Sequence, residues 1–368
     1  MKLLVVNTGS ASVKLSLFDA DQDSLKAVRK HRFLPDEDTP EQLLKRFIDS
    51  DIPDAVVHRV VHGGAELTCT ILIDAEVEKK IQQLTRLAPL HNPVALRWIQ
   101  ACRTIFNSNL YQAAVFDTAF YARLPQVATA YALPYDLTEQ HAIRRYGFHG
   151  IAHRAMWQRW RQLRPDLADG GRLITIQLGG GCSITATDNG LPQDTSMGFS
   201  PLEGLVMATR CGDIDPGIIS YLMRQLGMSA DDIDNVLNEK SGLMGLSGQS
   251  ENIVDLIHNR DQRSRLAVDL YCYRVRKYLG AFQMILGGVD GIVFGGGVGE
   301  HVPEVREKVL NGMSWCGIEL SKESNQQAIG REAQISHANS AVDVRVIPVD
   351  EASLLAQEAV AVLKQHII

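Results

Sequence analysis

The chain has 368 residues, 45% hydrophobic and 22% charged, with a formal net charge of −6. At roughly 150 residues per domain, this ordinary globular composition favours two domains around a cleft. The mild acidity and the lack of any block of Lys or Arg exclude nucleic acid or an anionic membrane surface as the main partner.

The first apolar run, Leu3–Val6, predicts a short strand, Gly9-Ser10 a turn, and Val13–Leu17 an alternating second strand. The run stops too soon for a secretory segment, and no window approaches the roughly 18 apolar residues of a spanning helix, so a cytoplasmic protein is expected. Periodicity then predicts helices at 40–49, 75–87, 93–106 and 151–164, with strands at 55–61, 113–117 and 127–130. Arg164-Pro165-Asp166 and Gly170-Gly171 interrupt the pattern and mark a domain junction. Leu173–Leu178, Gly179-Gly180-Gly181 and Cys182–Thr187 repeat the strand, turn, strand plan of the N-terminus, read either as a duplication or as two unrelated hairpins. Further helices are predicted at 216–226, 230–238, 263–286 and 351–364, with a strand at 342–347. A third glycine cluster, Gly295-Gly296-Gly297-Val298-Gly299, follows Ile292-Val293-Phe294 and precedes a helix-like stretch from Val302 to Leu310. The backbone can approach a nucleotide closely at such a turn. It has neither the Lys-Ser/Thr of a Walker loop nor the ribose carboxylate of a dinucleotide fingerprint. The six cysteines form no C-x-x-C pair, so neither a disulfide framework nor a thiolate zinc site is expected.

Unusual polar residues stand beside glycines in five segments: His58–Gly64, Ala88–Pro93, Phe116–Phe120, Arg144–His153, and Asp194–Gly204 running on to Asp213. Taken together, Asn7-x-Gly9-Ser10-x-Ser12-x-Lys14, His58-Arg59-Val60-Val61-His62-Gly63-Gly64, Arg145-Tyr146-Gly147-Phe148-His149-Gly150 and Asp194-Thr195-Ser196-Met197-Gly198-Phe199 resemble the signatures of the acetate kinase family. The resemblance spans residue 1 to about 360 and favours the duplication. It implies an α/β chain with the duplicated actin-like, ribonuclease H-like ATPase fold of the acetate/sugar kinase, Hsp70 and actin superfamily. The implied domains are 1–165, with the helix near 351–365 packing back, and 166–350, which binds nucleotide and dimerises.

The implied reaction is reversible, Mg²⁺-dependent transfer of the ATP γ-phosphoryl group to acetate, giving acetyl phosphate and ADP. A carboxylate is a weak nucleophile facing a polyanion, so repulsion must be cancelled and the partners aligned. By the family pattern Arg59 and Arg210 bind the carboxylate and the phosphoryl group, His149 donates to an equatorial oxygen, and Asp117 lies at the centre. Asp117 could orient Arg59, act through the metal or meet the substrate. Val61, Leu90, Phe148 and Pro201 match the apolar pocket for the acetate methyl. Ser10, Ser12 and Lys14 in the first hairpin, Gly179, Gly180 and Gly181 in the second, and Gly295, Gly296, Gly297, Val298 and Gly299 match the phosphate and nucleotide contacts. Asn7 and Glu351 match the positions serving Mg²⁺, or Mn²⁺ in its place, directly or through water. His149 and His153 stand at i, i+4 but without the Glu of H-E-x-x-H.

The resemblance departs from the pattern on the donor side. The second hairpin reads Gln177-Leu178-Gly179-Gly180-Gly181 where the family has His-Leu-Gly-Asn-Gly, and Asn252-Ile253-Val254 stands where an Asp-Phe-Arg-like segment is common. Asp350 replaces a common amide, and the chain is short between Asp19 and Pro53. A propionate kinase, or a member using another nucleoside triphosphate or pyrophosphate, therefore competes with the acetate and ATP reading. A non-catalytic nucleotide-binding actin-like protein is a distant alternative.

Overall fold

The computed structural model describes residues 1–9, 12–21, 24–34, 37–106 and 110–367. The chain divides into two compact units: residues 1–122 with 148–155 and 350–368, and residues 123–147 with 156–349.

The first unit is built on strands β1 (Lys2–Thr8), β2 (Val13–Ala20), β3 (Leu25–Phe33), β4 (Ala55–Val60), β5 (Ile71–Leu72) and β6 (Tyr111–Phe116), in the order β3-β2-β1-β4-β6-β5. β1 to β3 form an antiparallel meander, and β1, β4 and β6 run parallel. Successive side chains of a strand point to opposite faces, which divides β1 between two cores. Leu4 and Val6 pack with Leu43, Phe47, Trp98 and Cys102 of helices Pro40–Ile48 and Asn92–Phe106. Leu3 and Val5 pack on the other face with Ile151, Leu354, Leu355 and Leu363, the last three from helix Glu351–Ile367. Helix Pro40–Ile48 begins with a capping box between Thr39 and Gln42 and with Pro40 in its first turn, which needs no backbone N–H there.

The second unit repeats the plan with β7 (Arg172–Leu178), β8 (Cys182–Asp188), β9 (Leu191–Thr195), β10 (Gly291–Gly295), β11 (Ala333–Gln334) and β12 (Asp343–Val346). Its order, β11-β12-β10-β7-β8-β9, is that of the first sheet read from the opposite edge. The directions also match: β7, β8 and β9 are antiparallel neighbours, while β7, β10 and β12 are parallel. The two hairpins are therefore the same element of a duplicated fold.

The predicted helices and the strands at 55–61, 113–117 and 342–347 form within a few residues of their expected bounds. The strand expected at 127–130 does not. Gln126–Thr129 is a single helical turn begun after Pro125, and Val127 is 88% exposed with no strand beside it. Proline's fixed φ favours such a turn, and an isolated apolar residue cannot hold a ladder.

Candidate active site

The C-terminal ends of adjacent parallel strands gather the polar residues of the first unit, where open α/β sheets place their ligands. Asn7 lies near the end of β1, Arg59 near the end of β4, and Asp117 directly after β6. The Arg59 guanidinium donates to Asp117 through Nε, at 3.2 Å to both oxygens, and through Nη2 at 2.6 Å. Its Nη1 donates to Asn7 Oδ1 at 3.2 Å, and Asn7 Nδ2 donates to Glu351 Oε2 at 2.7 Å. Glu351 Oε2 also lies 3.9 Å from Arg59 Nη1. One cation is thus shared between two carboxylates and an amide.

Burial works against the charge on Arg59, but Asp117 and Glu351 raise the guanidinium above its ordinary value. For Asp117, burial outweighs the guanidinium and pushes the carboxyl up. For Glu351, burial is outweighed by Arg59, by the Asn7 amide and by Lys14, which hold the group below the usual carboxylate range.

His149 enters this unit in a left-handed conformation with φ 58°, immediately before helix Gly150–Leu163. Few residues other than glycine adopt this region, and such strain collects at functional positions. The next position admits only glycine, since a β-carbon at Gly150 would collide with the Asp117 carbonyl. The polar segments are tied together nearby. Asn92 exchanges hydrogen bonds with the His62 backbone at 3.2 and 3.0 Å, Thr118 Oγ1 accepts from Gly63 N–H at 3.0 Å, and Tyr121 donates to the Phe148 carbonyl at 2.9 Å. Val61 and Phe148 are buried, whereas Leu90 is 60% exposed. In the first hairpin Gly9 N–H donates to the Ser12 carbonyl, Ser12 is buried, and exposed Lys14 pairs in register with Asn7. Ser10 lies outside the described residues. Asp350 caps the helix that follows, accepting from the Ser353 N–H and hydroxyl, and lies 3.7 Å from Lys30.

In the second unit β10 pairs with β7, Gly295 opposite Gln177, so the glycine clusters 179–181 and 295–299 meet at neighbouring strand ends. Gly179 N–H donates to the Gly181 carbonyl at 3.1 Å, and β-carbons at Gly180 and Gly297 would meet nothing. The expected turn is short: from Gly296 the cluster already forms a helix, Gly296–His301, with Gly296 and Val349 N–H both donating to Glu300 and Val298 accepting from Val302 N–H. The Gln177 side chain lies against Gly296, and its buried Oε1 finds no hydrogen-bond partner among the described residues. Asn252 caps the short helix Ile253–Ile257 through Val254 N–H. Arg210 stands on a loop joined to the hairpin by a bond from Ala208 N–H to the Gly180 carbonyl at 3.2 Å. It donates to the Pro201 carbonyl at 3.2 Å, and burial lowers its guanidinium from the ordinary value.

One network here escaped the sequence reading. Arg145 donates to Glu203 at 2.7 Å and to the Thr195 and Ser196 carbonyls, while Tyr131 donates to Glu203 and accepts from Phe199 N–H. A β-carbon at Gly198 would collide with both Glu203 and Tyr131. Arg145 in a glycine-rich turn signals a need for an acid, but the spacing does not single out Glu203.

Strand order and paired glycine turns place the protein in the duplicated actin-like ATPase class. A model of the Acetokinase family matches residues 38–357. An acetate kinase of Chloroherpeton thalassium is 46% identical over 309 residues, covering 83% of this chain and 74% of its own. One from Halothermothrix orenii is 38% identical over 401 aligned positions, covering 99% of this chain and 100% of its own. The crystal structure of Porphyromonas gingivalis acetate kinase matches with a TM-score of 0.88 at 37% identity, covering 98% of this chain and 99% of that one. That of a propionate kinase from Francisella tularensis gives 0.86 at 34%, covering 97% and 98%. The chain belongs to the acetokinase family, whose members are phosphotransferases with a carboxyl group as acceptor.

Proposed function

We propose that this protein is an acetate kinase, transferring the γ-phosphoryl group of ATP reversibly to acetate by direct in-line displacement. The observation that carries the reading is the guanidinium of Arg59, held rigidly by Asp117 and Asn7 at adjacent strand ends. A fixed, charged fork suits a carboxylate substrate and costs no reorganisation when charge moves in the transition state. Asp117 is read as the group that orients Arg59, His149 as a donor to the transferring phosphoryl, and Arg210 as the second cation on it. Val61, Leu90, Phe148 and Pro201 are read as the walls for the acetate methyl. One more methylene adds about 0.8 kcal/mol of burial where there is room, so propionate competes.

The residues present fit Mg²⁺. Among the described residues no three His, Cys, Asp or Glu side chains cluster to cage a metal, and Mg²⁺ keeps its waters and asks for one or two carboxylates. Glu351, held below the usual carboxylate range, would hold the ion directly or through water, and Asn7, its own oxygen engaged by Arg59, would orient that carboxylate. The ion supplies charge neutralisation on the polyphosphate. The glycine turns at 179–181 and 295–299, with Ser10, Ser12 and Lys14, are read as the donor's contacts.

We read the first unit as the acyl-handling domain and the second as the nucleotide-binding and dimerising one; against the expected bounds of 1–165 and 166–350, residues 123–147 and 156–165 go with the second unit. A homodimer is supported by helix Pro216–Leu226, none of whose residues is buried and which exposes Ile218, Ile219, Tyr221, Met223 and Leu226. No described helix is long and apolar enough to cross a membrane, which accords with a cytoplasmic enzyme.

A steady-state matrix of acetate, propionate and butyrate against ATP, GTP and pyrophosphate, read as acyl hydroxamate, tests the proposal. Acetate with ATP should lead, and Arg210→Ala and His149→Ala should each cut turnover roughly 1,000-fold, to a small residual rate. Near-normal turnover in both variants would sink the assignment.

A further inference from the structure

The loop that carries Arg210 closes on itself at a narrow neck. Gly204 N–H donates to Asp213 Oδ1 at 2.8 Å, and Asp213 N–H returns a bond to the Gly204 carbonyl at 3.0 Å. Helix Gln262–Leu286 sets two residues, one turn apart, against this neck. Tyr278 donates to Asp213 Oδ2 at 2.9 Å. Arg274 Nη1 lies 3.1 Å from the same oxygen and also donates to the Asp213 and Gly204 carbonyls, at 3.1 and 3.3 Å. Gly212, at φ 68°, completes the neck, since a β-carbon there would strike the Leu205 and Gly204 carbonyls.

Beyond the neck the loop is held by backbone and hydroxyl contacts. Met207 N–H donates to the Arg210 carbonyl, Leu243 N–H to the Met207 carbonyl, and Thr209 Oγ1 to the Asn238 carbonyl. Among the described residues no carboxylate pairs with the Arg210 guanidinium, whose hydrogen bond goes to the Pro201 carbonyl. This contrasts with Arg59, which its own carboxylate aims. The guanidinium is held by the Pro201 carbonyl and by Met207 Sδ at 3.9 Å, so its direction depends on where the loop backbone sets Arg210 relative to these acceptors.

We propose that Asp213, clamped by Arg274 and Tyr278, is a positioning residue that aims Arg210 at the phosphoryl group in flight. The inference rests on the phosphotransferase reading and extends it to residues remote from the substrates. A misplacement of about 1 Å by a change far from the chemistry can cost roughly 100-fold in rate. The loss falls on kcat when the interaction is made only in the transition state.

Asp213→Asn keeps an acceptor for Gly204 N–H but loses the charge shared by Tyr278 and Arg274. Tyr278→Phe removes one donor and leaves a ring to pack on Phe282, 5.6 Å away between centroids. The expected result is a fall in kcat of roughly 10- to 100-fold for Asp213→Asn and a smaller fall for Tyr278→Phe, with both KM values within about threefold of wild type. If Asp213 acts through Arg210, adding Asp213→Asn to Arg210→Ala changes the residual rate by less than about twofold, because coupled residues are not additive. Wild-type kcat in both single variants, a rise in KM alone, or fully additive losses would overturn the proposal. Should Asp213→Asn fail to fold, as its thermal midpoint will show, Tyr278→Phe alone decides by the same kcat and KM criteria. A wild-type protein that phosphorylates no short-chain acid would instead defeat the functional reading.

Discussion

Asp117 is 1% exposed, and three contacts from one guanidinium answer its charge. Removing one partner of a buried pair leaves the other uncompensated, at a cost of about 3–5 kcal/mol. Asp117→Asn should therefore lower the unfolding free energy by an amount of that order in urea titration, and lower kcat more than either KM. An unchanged urea midpoint would show that Asn7 and Glu351 suffice to hold Arg59. Arg59 and Asp117 stood out in the sequence as members of its unusual polar segments, but their roles, like that of Asn7, came from the family resemblance. The bond from Asn7 to Glu351 joins positions 344 residues apart, and no local spacing encodes that. Glu351 was reached only through family resemblance. Leu90, named with Val61 and Phe148, proves exposed, because sequence pattern reports apolarity and leaves burial open.

Helices were the most legible elements, since caps and 3.6-residue periodicity are local. Asp261 before Gln262–Leu286 and Gly227 after Pro216–Leu226 stand where such signals belong. β3 carried no such signal. Lys26, Arg29, Lys30 and Arg32 occupy four of the nine positions of this edge strand, where charge is tolerated and deters further pairing. Charge erases the alternation by which a half-buried strand is recognised. Helix Pro216–Leu226 is legible as a helix yet none of its residues is buried, which is why we propose it as the dimer contact. Replacing Ile218 and Leu226 together with Glu should halve the mass found by sedimentation equilibrium. A wild-type protein that sediments as a monomer would remove the contact.

Across the whole molecule, the order of the two sheets was only half legible. The paired hairpins were visible, whereas the parallel strands β4, β6, β10 and β12 are joined through long crossovers whose partners depend on packing. Stability should also carry a signature of pH. Burial lowers His58 and His62 from 6.5 to about 4 and drives His153 well below that ordinary value. Between these limits the unfolded chain binds more protons than the folded one, so stability is full above about 6.5 and is lost as pH falls towards 4. Thermal midpoints measured at pH 7, 5.5 and 4.5 should fall in that order, and His58→Gln should flatten the curve. A profile level down to pH 4.5 would contradict it.

The helix Glu351–Ile367 has a consequence for how the protein is made. Leu354, Leu355, Ala359 and Leu363 cover the face of β1, β4 and β6 that carries Leu3, Val5, Val57 and Val115. During synthesis these strands leave the ribosome long before their cover does, and Asn7 waits equally long for Glu351. The nascent first unit thus carries an apolar sheet face without its C-terminal helix while residues 156–349 are translated, and this is the interval in which a chaperone that grips exposed aliphatic strands has most to hold.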